Sequence, residues 1–141
     1  MVIQERSLEF QLTEQSSVPI AFLIERKLYM EIIYNLIQNA VKFNKPKGSI
    51  MATVSYDKEN SKLWTMIEDT GVGISPKIKR NLFIAFRSQT LAMRGQKGQA
   101  GIGTGLSNSK CLVNALAGDI NIQSKPNKGT IVTFSVDIMV Q

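Results

Sequence analysis

Lys62-Leu63-Trp64-Thr65-Met66-Ile67-Glu68 runs directly into Asp69-Thr70-Gly71-Val72-Gly73-Ile74. The first seven residues alternate with a period of two, which predicts a strand with one buried face. The next six put a carboxylate at the end of that strand, followed by two glycines. A carboxylate so placed can accept a hydrogen bond from an exocyclic amine, and the glycines let backbone approach a flat ligand closely. An Asp-Thr-Gly turn accounts for the same residues without a ligand. An aspartic-protease reading fails: the tripeptide occurs once, and that chemistry needs a second carboxylate to share the proton.

Upstream of this strand, residues 49–56 also alternate, and Asp57-Lys58-Glu59-Asn60 joins the two runs as a hairpin. Before them, residues 25–43 carry Leu28, Ile32, Ile33, Leu36, Ile37 and Ala40 at helical spacing. Pro46 and Gly48 stop that helix. Residues 7–12 alternate as a further strand, and the polar stretch 13–20 with Pro19 is a loop. Downstream, Ser75 caps a short helix over 76–83 with Pro76 at its first position. Residues 88–100 are polar, contain Gly95 and Gly98, and show no apolar period, so they read as a mobile loop. A helix over 105–116 ends at Ala117-Gly118. Strands over 119–124 and 130–140 flank a turn at 125–129. The order βα, ββ, short helix and loop, αββ does not suit a parallel sheet with crossover helices. It predicts an α/β two-layer sandwich: one mixed sheet of about five strands with about three helices on one face.

Composition narrows the function. The 141 residues suffice for one domain with a proper core. With 43% hydrophobic and 20% charged residues, the chain is too apolar for disorder. Its net charge of +6 admits nucleic acid, an anionic membrane surface or an anionic small ligand. No run of five Lys or Arg occurs, which argues against the first two and leaves a polyphosphate ligand as the best fit for scattered basic residues. No apolar run approaches the length of a membrane span. The single cysteine, Cys111, excludes a disulfide within the chain and suits a reducing compartment. The chain contains no histidine, so histidine-based zinc sites and Ser/His/Asp hydrolysis are excluded.

Two further motifs carry chemistry. Asn35 and Asn39, in Asn35-Leu36-Ile37-Gln38-Asn39-Ala40, are four apart and project from one helix face. Amide oxygens can ligate magnesium and amide nitrogens can donate to phosphate, although a polar helix face alone explains the pair. Gly101-Ile102-Gly103-Thr104-Gly105-Leu106 opens a helix, where backbone amides favour anions. A P-loop would need Gly-Lys-Ser/Thr at its end, and a dinucleotide fingerprint would follow the first strand. Neither condition holds.

In this order, and with Leu82-Phe83-Ile84-Ala85-Phe86 between them, these blocks resemble the N, G1, F and G2 boxes of the ATP-binding domain of sensor histidine kinases. That group lies in the gyrase, chaperone, histidine-kinase and MutL superfamily, whose Bergerat fold is a two-layer α/β sandwich. The resemblance implies that Asn39 ligates magnesium, that Lys42 reaches phosphate, and that Phe43 packs on adenine. It implies that Asp69 hydrogen-bonds adenine, that Gly71 and Gly73 let the base approach, and that Ile74 lines the base pocket. Gly101, Gly103, Thr104, Gly105 and Leu106 would form the phosphate nest, with Arg87 or Arg94 as a basic contact after the F box. Gly129-Thr130 with Phe134 resembles the terminal block that closes the pocket. The family usually has Leu where Thr104 stands and an apolar residue where Asn108 stands.

The resemblance also separates kinases from hydrolases. Gyrase-like ATPases carry a water-activating Glu four residues before the metal Asn, and here that position is Asn35. An amide has no proton affinity useful to a general base. Glu31 lies two helical turns from Asn39, roughly 12 Å along the axis. The expected function is therefore binding of ATP and Mg and transfer of the γ-phosphoryl group. The acceptor would be a histidine on a separate dimerisation domain of the same parent, which would in turn serve a response regulator receiver domain. The whole chain, 1–141, is then one catalytic domain cut from a larger histidine kinase: monomeric, cytoplasmic, from a parent that can be membrane-anchored, and without a nucleic-acid partner. The alternatives are an ATP-driven conformational module of the gyrase or chaperone type and a degenerate nucleotide- or partner-binding module.

Overall fold

The two alternating runs form the centre of one sheet. A computed structural model describes residues 8–80 and 102–140 of the chain. In chain order its elements are β1 (Glu9–Glu14), β2 (Phe22–Leu23), α1 (Arg26–Lys42), β3 (Ser49–Asp57), β4 (Lys62–Asp69), α2 (Ile102–Ala115), β5 (Ile120–Lys125), β6 (Gly129–Asp137) and β7 (Met139–Val140). The main sheet has the order β1-β3-β4-β6-β5. β1 runs parallel to β3, and the other neighbours are antiparallel, so the sheet is mixed.

Register explains which residues are buried. Ala52 stands opposite Ile67, Ile67 opposite Val132, and Val132 opposite Ile122. All four are buried, and they lie on one face because side chains alternate across a strand. Leu63, Val136 and Phe134 extend the same face, and each is fully buried. Burying a side chain of that size contributes about 1.5–3 kcal/mol. α1 and α2 pack on this face and against each other, α1 through Ile32, Leu36 and Ala40 and α2 through Leu106 and Val113. The result is the expected α/β two-layer sandwich, with a mixed five-stranded sheet and its helices on one side.

Several boundaries differ from the sequence reading. The first strand runs over Glu9–Glu14 rather than 7–12, because its pairing with β3 carries it two residues into the stretch read as a loop. The last strand is not continuous over 130–140. It ends at Asp137, and β7 turns away to pair with β2 in a separate two-stranded ribbon. β2 itself escapes periodicity analysis because two residues cannot show a period. The second helix begins at Ile102 rather than Gly105, so the backbone of Gly103 and Gly105 lies inside its first turn. Its other end matches expectation with one exchange of roles. Ala117, not Gly118, adopts the left-handed conformation, with φ 56°. The Gly118 and Ala117 amides donate to Val113 and Asn114 carbonyls at 3.0 and 3.1 Å, closing a Schellman turn. Gly118 serves for space: a Cβ there would fall on the Ser135 carbonyl oxygen.

The short helix after Pro76 is present over its described part, 76–80, and Ser75 caps it as its sequence implies: the Ile78 amide donates to Ser75 Oγ at 3.3 Å. Phe83, Phe86, Arg87, Arg94, the expected loop 88–100 and Gly101 lie outside the described residues.

Candidate nucleotide site

The strand end at Asp69 is where the site begins. Asp69 faces the helical layer, and its Oδ1 accepts from the Gly71 amide at 2.8 Å and the Thr130 amide at 3.3 Å. Burial pushes the Asp69 carboxyl above its ordinary value near 3.8, and the bonds from Gly71 and Thr130 pull it partly back. Both bonds use Oδ1, so Oδ2 is the oxygen left for an incoming donor.

Asp69 lines a narrow cleft that encloses about 30 Å³ and opens to solvent at its mouth. Asn39, Ala40 and Phe43 of α1 form one wall, and Leu36, Ile67 and Val132 make the floor. Gly73, Ile74, Thr130 and, from α2, Leu106 complete it. The lining is mostly apolar, with one carboxylate and one amide, the composition expected of a site for a flat base. Seven residues singled out from the sequence thus meet here although four separate segments supply them: Asn39, Phe43, Asp69, Gly73, Ile74, Leu106 and Thr130.

Others stand at its edge. Gly71 is buried behind Asp69, and a Cβ there would collide with the Phe43 carbonyl oxygen. The Val72 amide donates to that same carbonyl at 3.0 Å, which locks the glycine segment to the end of α1. Lys42 is exposed in the last turn of α1, with its ammonium 5.3 Å from the centre of the Phe43 ring. That distance is within cation–π range. Asn35 lies one turn before Asn39 on the flank of α1 that also carries Lys42. The Nδ2 atoms of Asn35 and Asn39 are both buried and have no hydrogen-bond partner among the described residues. An unmet buried donor costs about 1–3 kcal/mol, so two on adjacent turns mark a place where a polar group is expected. The donor set fits magnesium and phosphate: each amide offers an oxygen to a hard cation and a nitrogen to an anion.

Sequence reasoning missed the residues that hold this site in shape. Asn44, read only as part of a helix stop, is 5% exposed. Its Nδ2 donates to the Ser49 carbonyl at 3.0 Å, and its Oδ1 accepts from Lys45 N at 2.9 Å and Thr70 Oγ1 at 3.1 Å. Thr70 Oγ1 in turn accepts from Ser49 N at 2.8 Å. Ser124 Oγ accepts from the Ile74 amide at 2.7 Å, donates to the Gly129 carbonyl at 3.1 Å, and lies 2.9 Å from Thr130 Oγ1. Nothing local in the sequence signals the bonds that join segments, because Asn44 and Thr70 stand 26 positions apart and Ser124 and Ile74 stand 50 apart.

The profile of the "Histidine kinase-, DNA gyrase B-, and HSP90-like ATPase" family matches residues 24–139. The chain belongs to that family. Among relatives of the family, the aerobic respiration control sensor protein ArcB of Escherichia coli (strain K12) is 32% identical over 133 residues, covering 94% of this chain and 17% of ArcB. The sensor protein CiaH of Streptococcus pneumoniae is 31% identical over 141 residues, covering all of this chain and 30% of CiaH. The chain therefore spans less than a third of the length of these sensor kinases. In fold it is similar to full-length ShkA, solved in complex with AMPPNP: TM-score 0.78, 23% identity, 99% of this chain and 27% of ShkA. It is similar also to the catalytic domain of the histidine kinase ThkA: TM-score 0.70, 19% identity, 96% of this chain and 81% of ThkA. The chain is thus an ATPase-like domain of this family, similar to one segment of these longer sensor proteins.

Proposed function

We propose that this domain binds Mg-ATP in the Asp69 cleft and presents the γ-phosphoryl group to a histidine on a separate dimerisation domain of a larger kinase, which then serves a response regulator receiver domain. The observation that carries this reading is the pair of unpartnered amides, Asn35 and Asn39, beside a cleft that ends in the Asp69 carboxylate. Bound ATP would supply the phosphoryl group, and magnesium would neutralise its oxygens.

The chain's own residues have the following roles in this proposal. Asp69 Oδ2 accepts from the exocyclic amine of adenine, a donor that guanine does not present at that position. Phe43, Ile74, Leu106 and Thr130 enclose the base, and Gly71 and Gly73 keep the backbone close behind it. Asn39 holds magnesium through Oδ1, Asn35 donates from Nδ2, and Lys42 reaches phosphate. Arg87, Gly101, Gly103, Thr104 and Gly105 contribute phosphate contacts from the connecting segment and the start of α2. Asn35 cannot act as a general base for water, and Glu31 is exposed on another part of the helix. Positioning and charge neutralisation are what phosphoryl transfer asks of such a domain. The reading places the domain in the cytoplasm.

The test has two steps. Calorimetry with AMPPNP should show binding that requires magnesium. Incubation with radiolabelled ATP and the histidine-bearing dimerisation domain of the parent kinase should then label that domain. ATP hydrolysis without label transfer would favour the gyrase-type module. Absence of nucleotide binding would favour the degenerate module.

A further inference from the structure

A second concavity of about 430 Å³ shares no described lining residue with the nucleotide cleft. The end of the β5–β6 hairpin forms one bank, and the helical turn 76–80 contributes Lys79 to it. Lys79, Lys125 and Lys128 line it with Gln123 and Ser124, and Ile131 supplies an apolar strip. No described residue in the lining is acidic. Among the described residues the one ion pair is Lys62–Asp137, so none of these three lysines is neutralised by a described carboxylate.

The bank is rigidly built. Asn127 stands in the left-handed region at φ 63°, and Gly129 follows at φ 91°. The Asn127 amide donates to the Val72 carbonyl at 2.7 Å, and the Lys128 amide to the Lys125 carbonyl at 3.1 Å. Ser124 Oγ joins the hairpin to Ile74 and Gly129. A surface lysine on a loose turn would lose conformational freedom on engaging an anion. Here the backbone beneath two of the three charges is already fixed.

We propose that this groove is a docking site for a carboxylate-rich segment of a partner protein. Three like charges in one concavity repel one another, and an extended acidic segment relieves that repulsion at several points at once. Gln123 provides an amide for the partner's backbone, and Ile131 accepts an apolar side chain between acidic ones. The concave shape disfavours a flat bilayer. Among the described residues the lining offers no aromatic platform and no arginine fork, the usual means of holding nucleic-acid bases. The groove is separate from the nucleotide cleft, so this inference does not depend on the proposed kinase activity.

The test is an NMR titration of the nitrogen-15-labelled chain with a hexaglutamate peptide at low salt. Saturable shifts should concentrate at Lys79, Gln123, Lys125 and Lys128 and should weaken as salt is raised. Lys125→Glu/Lys128→Glu should reduce affinity at least about tenfold, with an unchanged melting temperature. Lys27→Glu/Lys58→Glu, which changes net charge equally at two exposed sites, should leave it within about twofold. Equal losses in both double variants would overturn the proposal, since net charge alone would then govern binding. Shifts scattered over all lysines, or binding to phosphatidylserine vesicles or single-stranded DNA without binding to the peptide, would overturn it as well.

Discussion

The Thr130 amide donates to Asp69 Oδ1 at 3.3 Å, although the two residues stand 61 positions apart. They are register partners at the end of the β4–β6 ladder. The bond orients the carboxylate while its burial disfavours the charge, and the proposed nucleotide site rests on that balance.

Asp69→Asn should therefore separate binding from stability. Losing a charge-assisted hydrogen bond to adenine costs about 1.5–3 kcal/mol, or roughly ten- to a hundredfold in ATP affinity. Discrimination against GTP should fall with it. In the apo domain the sign reverses. The folded state holds the Asp69 proton more tightly than the unfolded state, so stability from this group is greatest below 3.8 and declines as pH rises through the raised value. The variant removes that decline, so chemical denaturation at neutral pH should find it at least as stable as the parent. ATP affinity of the parent should weaken on acidification through the same window. A variant with unchanged ATP affinity by calorimetry would remove Asp69 from the base site.

Asn39→Ala should abolish magnesium-dependent nucleotide binding with little cost to the fold. Its Nδ2 has no partner, so truncation removes an unmet donor along with some packing. The two effects oppose, and the change in stability should stay within about 1 kcal/mol. Normal magnesium-dependent AMPPNP binding by this folded variant would contradict the metal role.

Asn44→Ala should act in the opposite way, on stability first. It removes the side-chain bonds to the Ser49 carbonyl, the Thr70 hydroxyl and the Lys45 amide at a buried site, while Ser49 and Thr70 keep their bonds to each other, for about 1–2 kcal/mol. Because Asn44 follows Phe43 and braces the Asp69–Gly71 turn, nucleotide affinity should fall in parallel. Urea denaturation gives the first quantity and calorimetry the second. A stability loss under about 0.5 kcal/mol would show that water replaces the network.

The end of α2 offers a test away from the site. Ala117→Gly should stabilise the domain by about 0.5–1 kcal/mol, because glycine tolerates φ 56° without the Cβ penalty. Gly118→Ala should destabilise it by at least about 1–3 kcal/mol, since its Cβ has no space beside Ser135. Thermal melts of both variants check the pair, and equal shifts would contradict the assignment of roles.

Much of this architecture is legible in the chain because it depends on local periodicity. Period two along 49–56 and 62–68, helical spacing over 25–43 and the breakers at Pro46 and Gly48 each specify an element from a few neighbouring residues, within a residue of its observed ends. The cleft-lining residues were legible in another way: short motifs at strand and helix ends mark where a chain must approach a ligand.

Only the tertiary structure decided what joins residues distant in sequence. No period reveals that β1 pairs parallel to β3, that Asp137 ends one sheet and β7 begins another ribbon with β2, or that Ser124 fastens the hairpin to Ile74. These features come from hydrogen bonds and packing between segments whose neighbourhood exists only after the sheet has formed. The sequence by itself determined the elements and the motifs at their ends. Tertiary structure decided that the Nδ2 atoms of Asn35 and Asn39 would be buried without partners among the described residues and that Lys79 would share a groove with Lys125 and Lys128, because burial and charge proximity belong to the folded surface and not to the order of residues.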